Sequence, residues 1–201
     1  MTLWTIQTID WYNDFLKKGT IYVSREHIDE YYDFCLFGYN WLRNKMDSSV
    51  GKRPFQNCYP IWAWYQYKNS EKKRPDLRAV GFLRKGTRGV RIEIKKKESE
   101  VLLSDFMLWQ IPYFHHDFIG RNKNERKNFS NKLEKIGMAT SHIGKLPKDL
   151  RKEMIKSWDR VLDLDFNDRY FTKARKNKRI QATFWSLSID EVVKVDEFTA
   201  R

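Results

Sequence analysis

The sequence predicts a single α+β domain over residues 1–201, with a central mixed or antiparallel sheet flanked by helices. Three observations predict this class. Helical patterns come early, strand-like patterns fill the middle, and helices return before a closing strand, an order typical of α+β proteins. The length of 201 residues fits one domain. No linker, internal repeat or low-complexity segment divides the chain, so one core is expected.

The first quarter of the chain alternates short strands with helices. Thr8 suits the N-cap of a helix, and Gly19 suits its left-handed end. Ile9, Tyr12 and Leu16 recur at helical spacing. The elements predicted here are a strand at 3–7, a helix over about 9–18, a strand at 20–23 and a long helix over about 25–46 that Ser24 caps.

The middle of the chain is strand-like and aromatic. Val90, Ile92 and Ile94 alternate with charged residues, which is typical of a half-buried strand. The other elements predicted here are a strand at 59–67, a polar basic loop at 68–75, an extended segment at 76–83, a turn at 85–89, a strand at 101–103 and a short helix that carries Phe106 and Trp109.

Helices return in the last third, and a strand closes the fold. The predicted elements are helices over about 121–136 and 148–163, a strand at 180–187, and a last turn or helix at 189–193. The central sheet is therefore expected to contain residues 3–7, 61–67, 90–95 and 180–187.

The composition is basic and aromatic. Lys and Arg number 39 against 26 Asp and Glu, a net charge of +13, and aromatic residues make up 15% of the chain. Hydrophobic residues make up 41% of the chain, and this content excludes a disordered chain. No apolar run reaches the length of a membrane span, and the N-terminus is unlike a signal peptide, so a cytoplasmic protein without a membrane partner is expected. The charge indicates a polyanionic partner or merely favours solubility.

Metal binding is not expected. Cys35 and Cys58 form no zinc-ligand spacing and are assigned to packing. Two adjacent histidines, His115 and His116, would point to opposite faces on a strand and could not easily share an ion there. On a loop they could share one, and a polar loop without a metal is the favoured interpretation. The segment 163–174 begins like a calcium loop, but lacks the glycine and the glutamate that such a loop requires.

Two basic segments are candidate nucleic-acid contacts. One is the turn around residues 84–91 and the other is the loop 169–179, where Tyr170 and Phe171 accompany the cations. Cations beside aromatic rings suit phosphate contacts with base stacking. The alternatives are an ordinary turn and a solvated loop. Both segments are expected on one face, and the candidate residues are Arg84, Arg88, Arg91, Lys173, Arg175, Lys176, Lys178 and Arg179.

The aromatic strand is the second candidate site. On a strand, Trp62 and Trp64 share one face. Two indoles on one face form either a core or a platform on which a nucleobase stacks.

A further open question is Arg78, which is either a phosphate ligand or a buried partner of Asp76.

Several segments resemble a family of bacterial and phage proteins, the one numbered three-eight-four-one in the domain-of-unknown-function series. The resemblance covers nearly the whole chain but implies no activity. It rests on LWTIQ at the start, YPIWAWYQY at 59–67, RPDLR at 74–78, VRIEI at 90–94, VLLSDFMLW at 101–109, SWDRVLDLDF at 157–166, IQATFW at 180–185 and VDEFTAR at the end.

A weaker resemblance is to the ADP-ribosyltransferase fold. The opening strand, helix and strand are similar to the start of that fold, and IQATFW is similar to the strand that carries the catalytic glutamate of the DNA-targeting toxins. Thr183 stands where that glutamate would be, and Thr5 stands near the position of the first-strand histidine. Asp105 or Asp190 would then have to supply the carboxylate.

This resemblance implies NAD as the cofactor and a nucleotide pocket. Neutral amides and hydroxyls suit a ribose or a base edge, and indoles suit stacking. The residues expected to converge on that pocket are Thr5, Gln7, Trp62, Trp64, Gln181, Thr183 and Trp185.

Three functions follow from these observations. The first is an ADP-ribosyltransferase-like enzyme that uses NAD, with nucleic acid as a candidate target. The second is a non-catalytic module that binds nucleotide or nucleic acid. The third is a protein-interaction module, such as a phage inhibitor of a host factor.

Overall fold

A six-stranded antiparallel sheet runs through the middle of the protein. The computed structural model describes residues 1–27, 35–138 and 143–201. The strands of this sheet are β1 (Thr2–Thr8), β4 (Ile61–Gln66), β5 (Arg88–Lys95), β6 (Leu102–Asp105), β7 (Ile180–Phe184) and β9 (Val192–Thr199). Their order in the sheet is β6-β7-β4-β1-β5-β9. A three-stranded sheet consists of β2 (Thr20–Ser24), β3 (Cys58–Tyr59) and β8 (Ser186–Ser188), in the order β3-β2-β8.

The described helices lie where apolar residues recur at helical spacing. They are α1 (Ile9–Lys18), α2 (Leu36–Ser49), α3 (Phe106–Gln110), α4 (Lys123–Glu134) and α5 (Lys148–Ser157). The predicted caps of α1 are confirmed: the Thr8 hydroxyl accepts a hydrogen bond from the Trp11 backbone N–H at 3.2 Å, and Gly19 has a φ of 69°. A left-handed residue at this position is strained for any side chain except glycine.

The two faces of the large sheet pack against different layers. One face carries aliphatic residues such as Leu3, Ile92 and Ala182, which pack against Phe15 of α1 and Ile21 of β2. The other face is covered by α2, α3, α4 and α5, in a cluster that is rich in tryptophan. The protein is therefore a single α+β domain, as its sequence predicts.

The expected members of the central sheet are all present, and four other expectations are corrected. Residues 76–83 form turns rather than a strand. The turn or helix expected at 189–193 is present as a 3-10 turn over Ile189–Glu191, and β9 begins at Val192 in place of its last two residues. The strand expected at 180–187 divides at Trp185, and its second part joins the small sheet. The helix expected over 25–46 begins with a short 3-10 turn, Arg25–His27, and α2 continues to Ser49. Residues 28–34 of that expected helix lie outside the described residues.

None of the helices in the described part of the chain is long and apolar enough to cross a membrane.

Candidate functional site

The expected nucleotide pocket is not assembled, because its residues lie on opposite faces of the large sheet. Trp62 is opposite Thr183, and Trp64 is opposite Gln181 on β7 and beside Trp4 on β1. Neighbouring residues on a strand alternate between faces. Thr5 and Gln7 therefore face away from the indoles of β4, and the predicted convergence is wrong.

The hydroxyls of Thr5 and Thr183 and the amide of Gln7 are engaged within the fold, whereas the amide oxygen of Gln181 is buried without a hydrogen-bond partner among the described residues. Thr5 is 1% exposed, donates its hydroxyl proton to the Trp62 carbonyl at 2.9 Å, and accepts a hydrogen bond from the Gln7 amide. Thr183 is fully buried and donates to the Leu102 carbonyl at 3.2 Å. Trp185 is buried, and its indole N–H donates to the Gly51 carbonyl at 2.8 Å.

These contacts leave no catalytic group at the positions that the ADP-ribosyltransferase resemblance implies. Thr5 and Thr183 are sealed on opposite faces, so neither can contact a substrate. The two carboxylates considered as substitutes differ in exposure: Asp105 is fully buried, whereas Asp190 lies exposed in a 3-10 turn.

The two predicted basic segments lie at opposite ends of the large sheet. Thr8 at one end of β1 pairs with Gly89, which adjoins the turn 84–88. Because Trp64 of β4 lies beside Trp4 in an antiparallel pair, Gln66 lies at the other end of β1. Gln66 pairs with Ile180, the first residue of β7, which directly follows the loop 169–179. The expectation that both segments share one face is therefore wrong.

Several of the predicted cations are paired or buried within the fold. Arg91 is 7% exposed and binds the Asp196 carboxylate and the Pro75 carbonyl. Lys178 is buried as well. At the surface, Arg88 pairs with Glu197 and Arg175 pairs with Asp165.

The structure instead brings the loop 169–179 against the hairpin loop 68–74. The end of β4 and the start of β7 are neighbours in an antiparallel pair, so these two loops emerge side by side. The buried amide of Gln66 donates to the carbonyls of Arg175 and Lys178, at 3.1 and 2.8 Å. The Ser70 backbone N–H donates to the Lys176 carbonyl at 2.8 Å. We call the surface formed by residues 68–74 and 173–179 the basic ridge.

The basic ridge carries four exposed lysines without an acidic partner. Among the described residues, none of the four forms an ion pair, while the ridge arginines Arg74 and Arg175 are each paired with an aspartate. The four are Lys68, Lys72, Lys173 and Lys176. Their charge is therefore available to a partner. Only Lys173 and Lys176 are among the predicted contacts. The basic composition of residues 68–75 was the signal for the other two, and their proximity to the second loop required the tertiary structure.

A cavity of about 210 Å³ opens on the basic ridge. Its floor contains a buried ion pair, in which the Lys178 ammonium lies 2.5 Å from the Asp105 carboxylate and both side chains are fully buried. The same ammonium donates to the Phe166 carbonyl and the Thr172 hydroxyl, at 2.8 and 2.9 Å. The residues that line the cavity are Lys68, Asp105, Met107, Thr172, Lys173, Asn177, Lys178 and Arg179.

The hydrogen bonds of this ion pair are all used within the fold. One Asp105 oxygen accepts from the backbone N–H groups of Met107 and Leu108, which begin α3, and the other accepts from Lys178 and the Thr172 hydroxyl. The ammonium has three donors and three acceptors. Asp105 and Lys178 therefore hold the loop 169–179 onto α3 and are not available as an acid or a base.

Arg179 forms one wall of the cavity and lies on an aromatic cluster. Its guanidinium carbon is 4.2 Å from the centre of the Phe106 ring and 4.9 Å from that of Trp64, and its Nε–H donates to the Tyr67 carbonyl at 3.1 Å. Burial lowers the pKa of Arg179 from its usual value. Among the described residues it has no carboxylate partner, since its contacts are rings and a carbonyl.

The remaining candidates do not add to this site. A groove of about 970 Å³ between α4 and α5 is lined by both signs of charge, and pairs such as Lys132 with Glu153 cancel much of that charge. Within the described residues there is no group of three or more metal-ligating side chains. Of the two alternatives for Arg78, the structure shows the pair with Asp76, but both side chains are exposed and not buried. Both cysteines are buried.

Comparisons with known proteins identify a family and nothing further. The comparison with curated proteins finds no match, and neither does the comparison with solved structures. A family model matches residues 2–193, almost the whole chain, and its description is a domain of unknown function, DUF3841. The resemblance noted in the sequence is therefore confirmed, and the chain belongs to the DUF3841 family.

Proposed function

We propose that this protein binds single-stranded nucleic acid through the basic ridge. The observation that carries the proposal is that the Gln66 amide fastens two basic loops, distant in sequence, into one surface with four unpaired lysines. Phosphate neutralisation by such cations provides most of the sequence-independent affinity for nucleic acid. The net charge of +13 acts in the same direction over longer distances.

An aromatic side chain next to the basic ridge favours a single strand over a duplex. Tyr170 is 60% exposed, and the guanidinium carbons of Arg126 and Arg169 lie 4.8 and 4.9 Å from the centre of its ring. Aromatic rings flanked by cations stack with unpaired bases, whereas the bases of a duplex are already stacked. Tyr170 therefore supplies a stacking surface beside the phosphate contacts.

Fluorescence anisotropy with a labelled single-stranded oligonucleotide tests the proposal. Four phosphate contacts predict a slope of about −3 for the logarithm of affinity against the logarithm of salt concentration. Charge reversal in Lys72→Glu/Lys176→Glu should weaken binding at least about tenfold at low salt. Tyr170→Ala should weaken it by about 1–3 kcal/mol, the contribution of one stacked base.

A matched control separates the basic ridge from the overall charge. Lys17 and Lys18 are exposed lysines on α1, outside the basic ridge, and α1 packs against the aliphatic face of the large sheet. Lys17→Glu/Lys18→Glu changes the net charge as much as the ridge variant does, and should bind almost as the wild type does. Equal losses in the two variants, or no binding by the wild type at low salt, would refute the proposal. Binding of NAD alone, with chemical modification of the oligonucleotide, would favour the enzymatic alternative.

A further inference from the structure

The cavity on the basic ridge is lined in part by buried residues. Asp105 and Lys178 are buried and form its floor, and Thr172 is 8% exposed. The exposed residues Lys68 and Lys173 lie at its mouth. Its volume of about 210 Å³ is below the roughly 300–1,000 Å³ of pockets that enclose drug-sized ligands. The cavity therefore suits a small group that enters from one side.

The charge of the lining favours an anion. Four of the lining residues are cationic, Lys68, Lys173, Lys178 and Arg179, and Asp105 is the one lining carboxylate. That carboxylate is neutralised by its contact with Lys178 and by two backbone N–H groups. Lys68, Lys173 and Arg179 thus provide a surplus of positive charge in the cavity.

Arg179 is the second observation that indicates an anionic ligand. Its Nε–H is bonded to a carbonyl, and its remaining four N–H groups make no hydrogen bond to the described residues. The rings of Trp64, Tyr67 and Phe106 hold its plane in place. Arg179 is one of the residues that line the cavity. A guanidinium whose plane is fixed by stacking and whose donors are free is well suited to bind phosphate oxygens.

We infer that this cavity binds a phosphate monoester, the terminal phosphate of a nucleic-acid strand. A phosphodiester within a strand continues through two of its oxygens and presents only two others to the cavity. A terminal phosphate is attached through one oxygen, and it carries more negative charge than a diester does. The inference rests on the proposed function, because it assigns the end of the strand to the cavity and the rest of the strand to the basic ridge.

The test compares oligonucleotides of one sequence that carry a 5′-phosphate, a 3′-phosphate or hydroxyl groups at both ends. Anisotropy should show a preference of about tenfold for one of the phosphorylated strands over the hydroxyl strand. Inorganic phosphate should remove that preference at concentrations that leave binding of the hydroxyl strand in place. Sodium sulfate at the same ionic strength separates this competition from general screening of charge.

Variants of the basic ridge separate the cavity from the general phosphate contacts. Lys68→Ala/Lys173→Ala removes the exposed cations at the mouth of the cavity. The ratio of the affinities for the phosphorylated strand and the hydroxyl strand should then be close to one. Lys72→Ala/Lys176→Ala removes two ridge cations outside the lining. This second variant should weaken binding of all strands and leave their ratio unchanged.

The outcomes distinguish this inference from the proposed function. Equal binding of the three strands would overturn the inference and leave the proposed function standing. If no strand binds but inorganic phosphate alone binds in titration calorimetry, and Lys68→Ala/Lys173→Ala abolishes that binding, the cavity is an anion site, but the proposed function fails and the end of a strand is not the ligand. Absence of binding by all strands and by phosphate would overturn both.

Discussion

Replacing Lys178 with methionine should destabilise the protein severely, because it leaves the Asp105 carboxylate buried without its cation. Both side chains of the pair are fully buried. Breaking a buried ion pair from one side typically costs about 3–5 kcal/mol, whereas an exposed pair contributes about 1 kcal/mol or less. Methionine also removes the hydrogen bonds to the Phe166 carbonyl and the Thr172 hydroxyl. The expected loss therefore lies in the upper part of that range.

Urea unfolding and thermal unfolding measure this loss. For a domain of this size, about 1 kcal/mol changes the melting temperature by roughly 2–4 °C, so a loss of about 4–5 kcal/mol in Lys178→Met should lower it by about 8–20 °C. Lys173→Met is the matched control, because Lys173 is an exposed lysine that lines the same cavity. An exposed substitution of this kind should stay within about 0.5 kcal/mol of the wild type.

A double-mutant cycle attributes the effect to the pair itself. In Asp105→Asn the side-chain oxygen can still accept hydrogen bonds from the two backbone N–H groups that begin α3. The amide NH₂ group then faces the Lys178 ammonium, so two donors oppose each other. The double variant Asp105→Asn/Lys178→Met removes that conflict. Its loss in free energy of unfolding should therefore be smaller than the sum of the two single losses by about 2 kcal/mol. A loss below about 1 kcal/mol in Lys178→Met, or additive losses, would refute the account of the cavity floor.

Three further predictions concern acid stability, packing and thiol reactivity. Burial opposes ionisation of Asp196, but hydrogen bonds from Arg91, Lys194 and Arg74 outweigh it and lower the pKa to about 2. Ionised Asp196 therefore stabilises the fold by about 2 kcal/mol above pH ~4, and this is lost as the pH falls towards 2. Unfolding at several pH values should show a gap between the wild type and Asp196→Asn that narrows over this window; a constant gap would contradict the assignment. Gly38→Ala should destabilise the fold by about 1–3 kcal/mol, because the new Cβ would lie 2.4 Å from the Pro112 carbonyl oxygen. Gly144→Ala, where a Cβ meets nothing within 4 Å, is its control in thermal unfolding, and equal effects would argue against the close approach. Burial raises the pKa of Cys58 to about 11, so native alkylation near pH ~8 should be roughly a hundredfold slower than that of a free thiol. Mass spectrometry measures this rate, and rapid labelling of the folded protein would contradict the burial.

Local patterns account for most of the secondary structure. The alternation of Val90, Ile92 and Ile94 predicts β5, and the cap at Thr8 and the stop at Gly19 predict α1. The prediction is wrong where a strand changes partners. Residues 180–187 have one continuous strand-like pattern, but Trp185 leaves the large sheet and donates to the Gly51 carbonyl. An apolar pattern indicates burial and does not specify which sheet a strand joins.

The candidate site was predicted in part. The loop 169–179 contributes to the basic ridge, while the turn 84–91 lies at the other end of the sheet. Strand alternation correctly placed Trp62 with Trp64 and Gln181 with Thr183. It could not show that Thr5 and Gln7 face the other way, because the relative faces of two strands depend on their register.

The sequence by itself determined the α+β class, the principal strands, the family and the positive charge, because each of these depends on composition, local periodicity or a nearly full-length pattern. The tertiary structure alone decided which cations are available. Lys178 and Lys176 are two residues apart, yet one is buried against Asp105 and the other is exposed on the basic ridge. The physical reason is that a charge becomes structural when a distant carboxylate meets it in the core, and a partner separated by 73 residues leaves no local signal.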